Sequence, residues 1–394
     1  MNDSIRHIYL DNSATTKISA EALQKYADVS TVNFGNPSSL HTMGLNAEKE
    51  LKEARGAILS SLGEKDSTVV FTASGSEANN LAIIGRAFAK ERYRRGSKII
   101  TTMGEHASVS SPINKLREQG FKIAEISTKD GKIDMEEFIR ELTGDVILVS
   151  MMMVTNETGA LYDINAVSKL MKARSPEALL HVDATQSYMK IKFTKSSLGA
   201  DMITLSSHKI EGPKGVGALV IDNKIIKKRG LAPIILGGGQ EGGLRSGTEN
   251  VPAVAAFGVA VRIGAAAIDR NFQKLTELRE YLVDRLSNEK EFSEIKITNP
   301  KSHAPHILNI TIPGIKSETM LHYLSSLGIY VSSGSACSSN SSHLSSSLLA
   351  YGKSEAEADC SIRISFSHRN EKDEIDALCD GLSSAIKRLA RIRR

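Results

Sequence analysis

Two apolar runs end on residues that could do chemistry together. The stretch LLHVDATQSY leads a buried-strand pattern into Asp183 and Gln186, and MITLSSHKIEGPKG leads the next one into Ser206, Ser207, His208 and Lys209. Asp183 and Lys209 are 26 residues apart, room for one crossover and one strand. Alone, an Asp after a buried strand is more often a cap than a catalyst, and a Lys there is usually solvated. Together, with the Gly-rich EGPKGVG behind them, they are more specific: an acid and an amine at the carboxyl ends of neighbouring strands, where open α/β sheets form ligand crevices. A third segment, FTASGSEANN, passes from a strand through Gly75 and Ser76 into a helix, and N–H groups with a hydroxyl at a helix N-terminus make an anion site. An unliganded helix cap explains Ser76 equally well in isolation. The segment has neither GxGxxG nor GxxxxGK[ST], which supports neither a dinucleotide site nor a P-loop. Amine, acid and anion donors are what pyridoxal phosphate requires: a Schiff-base lysine, a partner for the pyridinium nitrogen and a cradle for the phosphate.

A thiol sits in an unusual setting. Residues 332–347 read SSGSACSSNSSHLSSS, and ten of these 16 are Ser, around Cys337. So little apolar surface predicts a mobile loop. An inert linker is the plain alternative. The cysteine, and a place inside the second half of the chain, favour a functional loop, because catalytic groups often sit on loops held by a rigid scaffold.

Positioning these groups is the task of an α/β pattern. Short apolar runs at residues 68–72, 98–101, 146–151, 179–182, 202–205 and 218–221 read as buried strands. Residues 77–91, 109–119 and 164–174 between them read as helices. Alternation of this kind predicts a mainly parallel sheet covered on both faces. From about Val251 the character changes: residues 252–268 and 272–287 read as two helices, 307–312 and 362–366 as shorter strands, and a last helix begins near Asp373. At 394 residues two domains are the default.

Composition narrows the classes. Hydrophobic residues at 41% and charged residues at 24% exclude a disordered, collagen-like or coiled-coil chain. Aromatics are 5% and Trp is absent, so base stacking is not expected to dominate. The net charge of +5 is slight, and the basic knot KRLARIRR at residues 387–394 reads as the solvated end of a helix rather than a nucleic-acid stripe. Three cysteines, 337, 360 and 379, without regular spacing argue against a disulfide framework or a zinc knuckle and fit the reduced cytosol. The polar opening MNDSIRHIYLDNSATTK shows no signal peptide, and no apolar run approaches the ~20 residues of a membrane span.

Ten segments in order resemble the cysteine desulfurases of the class V aminotransferase group, which are fold-type I pyridoxal phosphate enzymes: YLDNSATT (9–16), GNPSSLH (35–41), SGSEANN (74–80), EH (105–106), TNETG (155–159), HVDATQ (181–186), SSHKIEGPKG (206–215), GGGQEGGLRSGTEN (237–250), SSGSAC (332–337) and SIRISF (361–366). The resemblance implies a large cofactor-binding domain over residues 15–258 with a mainly parallel seven-stranded sheet. It implies a smaller α+β domain from residues 1–14 and 259–394, carrying a catalytic loop at about 332–350. Lys209 matches the Schiff-base lysine, and Lys214, in a Gly-Pro turn, reads as surface. Asp183 matches the acid at the pyridinium nitrogen, Gln186 the group near the ring hydroxyl, and His106 the stacking imidazole, also a candidate proton shuttle. Gly75, Ser76, Ser206 and His208 match the phosphate cradle, and Thr248 a residue lent by the second subunit of a homodimer; a helix cap is the alternative role for Thr248. Asn156 matches a contact to cofactor and substrate, and Arg363 the fork for the substrate α-carboxylate.

Cys337 matches the nucleophile that takes sulfur from L-cysteine as a persulfide and releases L-alanine. Cys360 and Cys379 read as structural. Ser76 replaces the family's usual Thr, and Thr155 its frequent Asn. Arg363 follows Cys337 by 26 residues, like the long-loop subgroup serving iron–sulfur assembly and tRNA thiolation, although the Ser-rich loop is unlike the commoner one. The implied partners are L-cysteine, a second copy and a sulfur-acceptor or scaffold protein, with no direct nucleic acid and no membrane. No resident metal is expected, Cys337 being at most a transient iron–sulfur ligand. A selenocysteine lyase or a small-substrate aminotransferase is the nearest rival, and a transaminase needs no nucleophilic thiol. A non-catalytic scaffold would have lost Lys209, Asp183 or Cys337.

Overall fold

The computed structural model describes residues 6–89, 96–334 and 345–389. Cys337, and with it most of the predicted loop, lies outside them.

The large sheet has seven strands: β2 (Ser67–Thr72), β3 (Lys98–Thr102), β4 (Lys122–Ile126), β5 (Val146–Met152), β6 (Leu179–Asp183), β7 (Met202–Ser206) and β8 (Gly217–Asp222). They are ordered β2-β8-β7-β6-β5-β3-β4, and β8 runs antiparallel to both neighbours while the other pairings are parallel. Alternate residues of one strand feed two different cores. Val69 and Phe71 join one, with Ile100, Val182 and Val220; Val70 joins the other, with Ile99, Leu219 and Ile221. Both faces are therefore apolar, which is why these strands read as unbroken hydrophobic runs. β4 was not legible in that way. It is the sheet edge, and its first four residues, Lys122 to Glu125, are exposed or half-buried.

The two helices expected after Val251 are one, Val251–Asn288. Nothing breaks it: Pro252 stands in the first turn, where its missing N–H costs nothing, and Gly264 alone is not a breaker. Its first turns bury Val254, Phe257 and Val261 in a large-sheet core, and its last turns bury Leu275, Leu278 and Leu282 in a separate core. The expectation of no long apolar run also needs correcting. By length and composition this helix could cross a membrane, but half of its most apolar stretch is buried in the protein, as in a core helix.

The second core belongs to an antiparallel sheet, ordered β12-β13-β10-β9, of β9 (Lys296–Thr298), β10 (Ile307–Thr311), β12 (Ser332–Ser333) and β13 (Ser361–Ser365). A short parallel ladder joins β1 (Ile8–Tyr9) to β11 (Ile329–Tyr330). Ile8 and Leu10 pack into this second core, and the chain then crosses to the large sheet, where the Thr16 N–H donates to the His208 carbonyl at 2.9 Å. The segment 11–16 thus bridges the two cores over the ends of β6 and β7.

Candidate active site

Asp183 is the last residue of β6 and is 6% exposed. Its Oδ2 accepts from Asn79 Nδ2 at 2.8 Å and its Oδ1 from the Thr185 N–H at 2.9 Å. Lys209 ends the short turn Ser207–Lys209 that follows β7. Its Nζ donates to the carbonyls of Ser13 at 2.5 Å and Ala14 at 2.8 Å. The Ser13 carbonyl also accepts from Gln186 Nε2 at 3.0 Å, so the crossing segment gathers Lys209 and Gln186 at one point. Half-buried Lys190 donates to the Lys209 carbonyl at 3.0 Å and fixes the turn from behind. Lys214 is exposed, as a surface residue should be.

The anion end is built from backbone. Gly75 opens the helix Gly75–Ala87, whose Ser74 cap accepts the Glu77 N–H at 3.1 Å. A Cβ on Gly75 would lie 3.2 Å from Ser206 Cβ and 3.3 Å from Thr185 Oγ1, and one on Gly217 would lie 2.5 Å from the Ser74 carbonyl carbon. Only glycine lets the helix start this close to the strand ends. Ser206, at the end of β7, is buried there, and Ser76 is exposed beside Gly75. His208 meets Thr15 Oγ1 at 3.1 Å. Burial, then Lys209 and Lys214, push its imidazole down to about 4, so the ring is neutral.

Arg363 rises from β13. Its Nη1 donates to the Asn156 carbonyl at 2.9 Å and its Nη2 to Asp11 Oδ1 at 2.8 Å, while its buried Nε has no partner among the described residues. The half-buried Asn156 stands on a turn after β5 that Thr155 secures, accepting the Ala160 N–H at 2.9 Å and meeting Thr158 at 2.6 Å. The hydroxyl that replaces the family's Asn thus serves the turn itself.

Thr248 is exposed in a cleft with Thr72, Ala73, Gly215 and Arg245, and no other predicted site residue among the described residues lines that cleft. The helix-cap role considered for it is filled by Asn250, which accepts the Ala253 N–H at 3.3 Å. Among the described residues no group of three or more His, Cys, Asp or Glu is placed to hold a metal. Burial raises the Cys379 thiol to about 12, which leaves it inert.

The sequence matches the aminotransferase class-V family model over residues 8–378. A curated relative, cysteine desulfurase IscS 1 of Archaeoglobus fulgidus, is 36% identical over 97% of both chains. Cysteine desulfurase IscS of Dictyoglomus turgidum is 35% identical over 98% of this chain and 96% of its own. Among solved structures, a NifS-like protein superposes with a TM-score of 0.89 at 32% identity, covering 97% of this chain and all of that one. The structure titled SspA in complex with cysteine gives a TM-score of 0.79 at 29% identity, over 92% of this chain and all of that one. The chain belongs to the cysteine desulfurase family of class-V aminotransferases.

Enzymes of this family are fold-type I and depend on pyridoxal phosphate, and the site fits that group. Asp183 is buried with only neutral donors on its oxygens among the described residues, which leaves room for a ring N–H⁺. Gly75, Ser206 and Thr185 crowd around a helix N-terminus suited to a phosphate. Lys209 follows the end of β7, with its Nζ donating to the Ser13 and Ala14 carbonyls.

Several contributors escaped the sequence reading. Asp11, Ser13 and Thr15 stood only in a matching segment, with no role assigned. Asn79 carried a signal: it lies four residues after Gly75 on one helix face, a polar residue that turns out 1% exposed. Glu105 is another. Both its oxygens accept the Met152 N–H, at 3.0 and 3.1 Å, and Thr102 donates to it. Burial pushes this carboxyl up to about 8, Asp183 adding to the rise and those hydrogen bonds opposing it. Between 4.5, its ordinary value, and about 8 the folded chain holds a proton that the unfolded chain has released. Glu105 therefore contributes stability that is lost as the pH rises through that window. The Glu105→Gln variant is expected to lose less melting temperature than the wild type between about pH 5 and pH 8; equal losses in thermal melts would contradict this.

Proposed function

We propose that this chain takes sulfur from L-cysteine, releases L-alanine and holds the sulfur as a persulfide on Cys337. The observation that carries the reading is the register of β12: Ser332 pairs with Arg363, so the segment bearing Cys337 departs beside the arginine we assign to the substrate carboxylate. Cys337 is five residues on, a reach of at most ~17 Å. An aminotransferase would need no thiol at that point.

Asp183 would hold the ring nitrogen, Gln186 the ring hydroxyl, His106 the ring face, and Gly75, Ser76, Ser206 and His208 the phosphate. Bound pyridoxal phosphate supplies the electron sink for the substrate's bond changes. Lys209 anchors the cofactor and, once displaced, is an amine within reach of substrate protons. Arg363 gives the substrate carboxylate a two-pronged hold, with Asp11 keeping the guanidinium in place, and Asn156 orients both ligands. The Cys337 thiolate attacks the substrate sulfur. One C–S bond breaks, one S–S bond forms, and the carbon takes up a proton as alanine leaves. Incubation with L-cysteine and a reductant should yield alanine and sulfide in equal amounts; alanine without sulfide, or neither, sinks the reading.

The sulfur is then passed to an acceptor or scaffold protein of iron–sulfur assembly or tRNA thiolation, and Cys337 would serve as a transient ligand where a cluster is built on that partner. The names of the relatives and the Cys337–Arg363 spacing support this. The two cores support two domains dividing at residue 258, with residues 1–14 in the smaller. The free Cys360 and Cys379 support a cytoplasmic enzyme, and the slight net charge of +5 supports one without a nucleic-acid partner.

The working unit is a homodimer in which Thr248 reaches the neighbour's phosphate. Exposed Val32, Phe34, Leu40 and Leu236 support an interface, Leu40 being 95% exposed. A mixing experiment tests it. Lys209→Ala and Thr248→Ala subunits, each impaired alone, are expected to recover activity when exchanged, because one site then has both native groups. No recovery, or a fully active monomer, contradicts action in trans.

A further inference from the structure

A chain of hydrogen bonds runs behind the proposed cofactor site and joins its two ring-binding groups. His106 Nδ1 meets Ser108 Oγ at 2.8 Å, and it also accepts the Ser108 backbone N–H at 3.1 Å, capping the helix Ala107–Glu118. Ser108 Oγ accepts from Asn79 Nδ2 at 2.8 Å. The same Nδ2 donates to Asp183 Oδ2 at 2.8 Å. Asn79 is 1% exposed, Ser108 9% and Asp183 6%, so the chain is shielded from solvent up to His106, which is exposed.

The direction of every bond in it is fixed. Both Asp183 oxygens accept, Oδ1 from the Thr185 N–H and Oδ2 from Asn79. Asn79 must therefore present its NH₂, whose two hydrogens serve Asp183 and Ser108. The reverse orientation would set its carbonyl against the carboxylate. This choice leaves the Asn79 Oδ1 buried without a partner among the described residues, a lower cost than setting it against the carboxylate. Ser108 Oγ accepts from Asn79, so its own proton is free to point at His106. Nδ1 then faces two donors, a hydroxyl and a backbone N–H, and must be bare. The ring proton sits on Nε2.

We propose that Asn79 and Ser108 are positioning residues that lock His106 as the neutral Nε2–H tautomer and tie its orientation to that of Asp183. The proposal rests on the reading of His106 and Asp183 as the stacking group and the acid. It changes what His106 does there. To take up a proton, the ring would have to put an N–H on Nδ1, against two donors, and release the helix cap. His106 therefore works as a neutral stacking ring and hydrogen-bond donor, and storing protons falls to other groups, Lys209 among them. The wider electrostatics agree: partial burial lowers the basicity of His106, Asp183 opposes this, and Lys209 and Arg363 reinforce it.

Nitrogen NMR of the full-length protein, with histidine ring nitrogens labelled, reads the lock directly, with and without cofactor. The wild type should show His106 with a protonated Nε2 and a bare Nδ1 from about pH 6 to pH 8, the window where a free imidazole titrates. Ser108→Ala should give mixed tautomers or a ring that protonates within that window, and Ser108→Thr should restore the lock. Asn79→Ala should bind pyridoxal phosphate roughly tenfold more weakly, as expected for a lost hydrogen bond to a charged group. A proton on Nδ1 of the wild type, or an unmoved ring in folded Ser108→Ala protein, overturns the proposal. Because the tautomer is read without cofactor, these outcomes are independent of whether the desulfurase reading survives.

Discussion

Replacing Lys209 by alanine should abolish alanine production from L-cysteine, by about three orders of magnitude or more, since acid–base work alone is worth 10²–10⁴. Lys209 is the lysine that the fold brings to the strand ends beside Asp183, with Nζ against the Ser13 and Ala14 carbonyls. Lys214 is exposed, and Lys190 is engaged behind the turn. Cofactor should still bind to the variant through Asp183 and the phosphate cradle. It should wash out on denaturation after borohydride, whereas the wild type keeps it covalently. Covalent retention by the Lys209→Ala protein would mean that another amine is the anchor.

Cys337→Ser should separate cofactor chemistry from sulfur transfer. The residue is not part of the cradle described above, so cofactor content and melting temperature should stay at wild-type values. L-Cysteine should still perturb the visible spectrum, because Arg363 and Asn156 are untouched. Sulfide and alanine production should fall to background, because a hydroxyl cannot hold sulfane sulfur and Cys360 and Cys379 are elsewhere. Substantial alanine formation by this variant, with or without reductant, would argue for a lyase that needs no thiol.

Much of the large sheet was legible because its strands bury both faces and so read as continuous apolar runs. β4 failed that test as a half-exposed edge. The long helix Val251–Asn288 was split in the reading because its buried residues change partners midway, from one core to the other, which looks like a break in pattern without any backbone break. Lys209 and Asp183 were legible as polar residues at strand ends. Asp11, Ser13 and Thr15 were not, because their roles depend on contacts between residues 193 to 352 positions apart, from His208–Thr15 to Arg363–Asp11. Asn79, Ser108 and Glu105 act through other side chains. A single sequence marks such residues only as polar groups on an apolar face.

The most direct test is a single-turnover mass measurement of the Cys337 peptide. Holoenzyme treated with one equivalent of L-cysteine, without reductant, should gain one sulfur atom on that peptide and release one equivalent of alanine. Alanine released with no sulfur on Cys337, or sulfur found on Cys360 or Cys379 instead, would contradict the assignment.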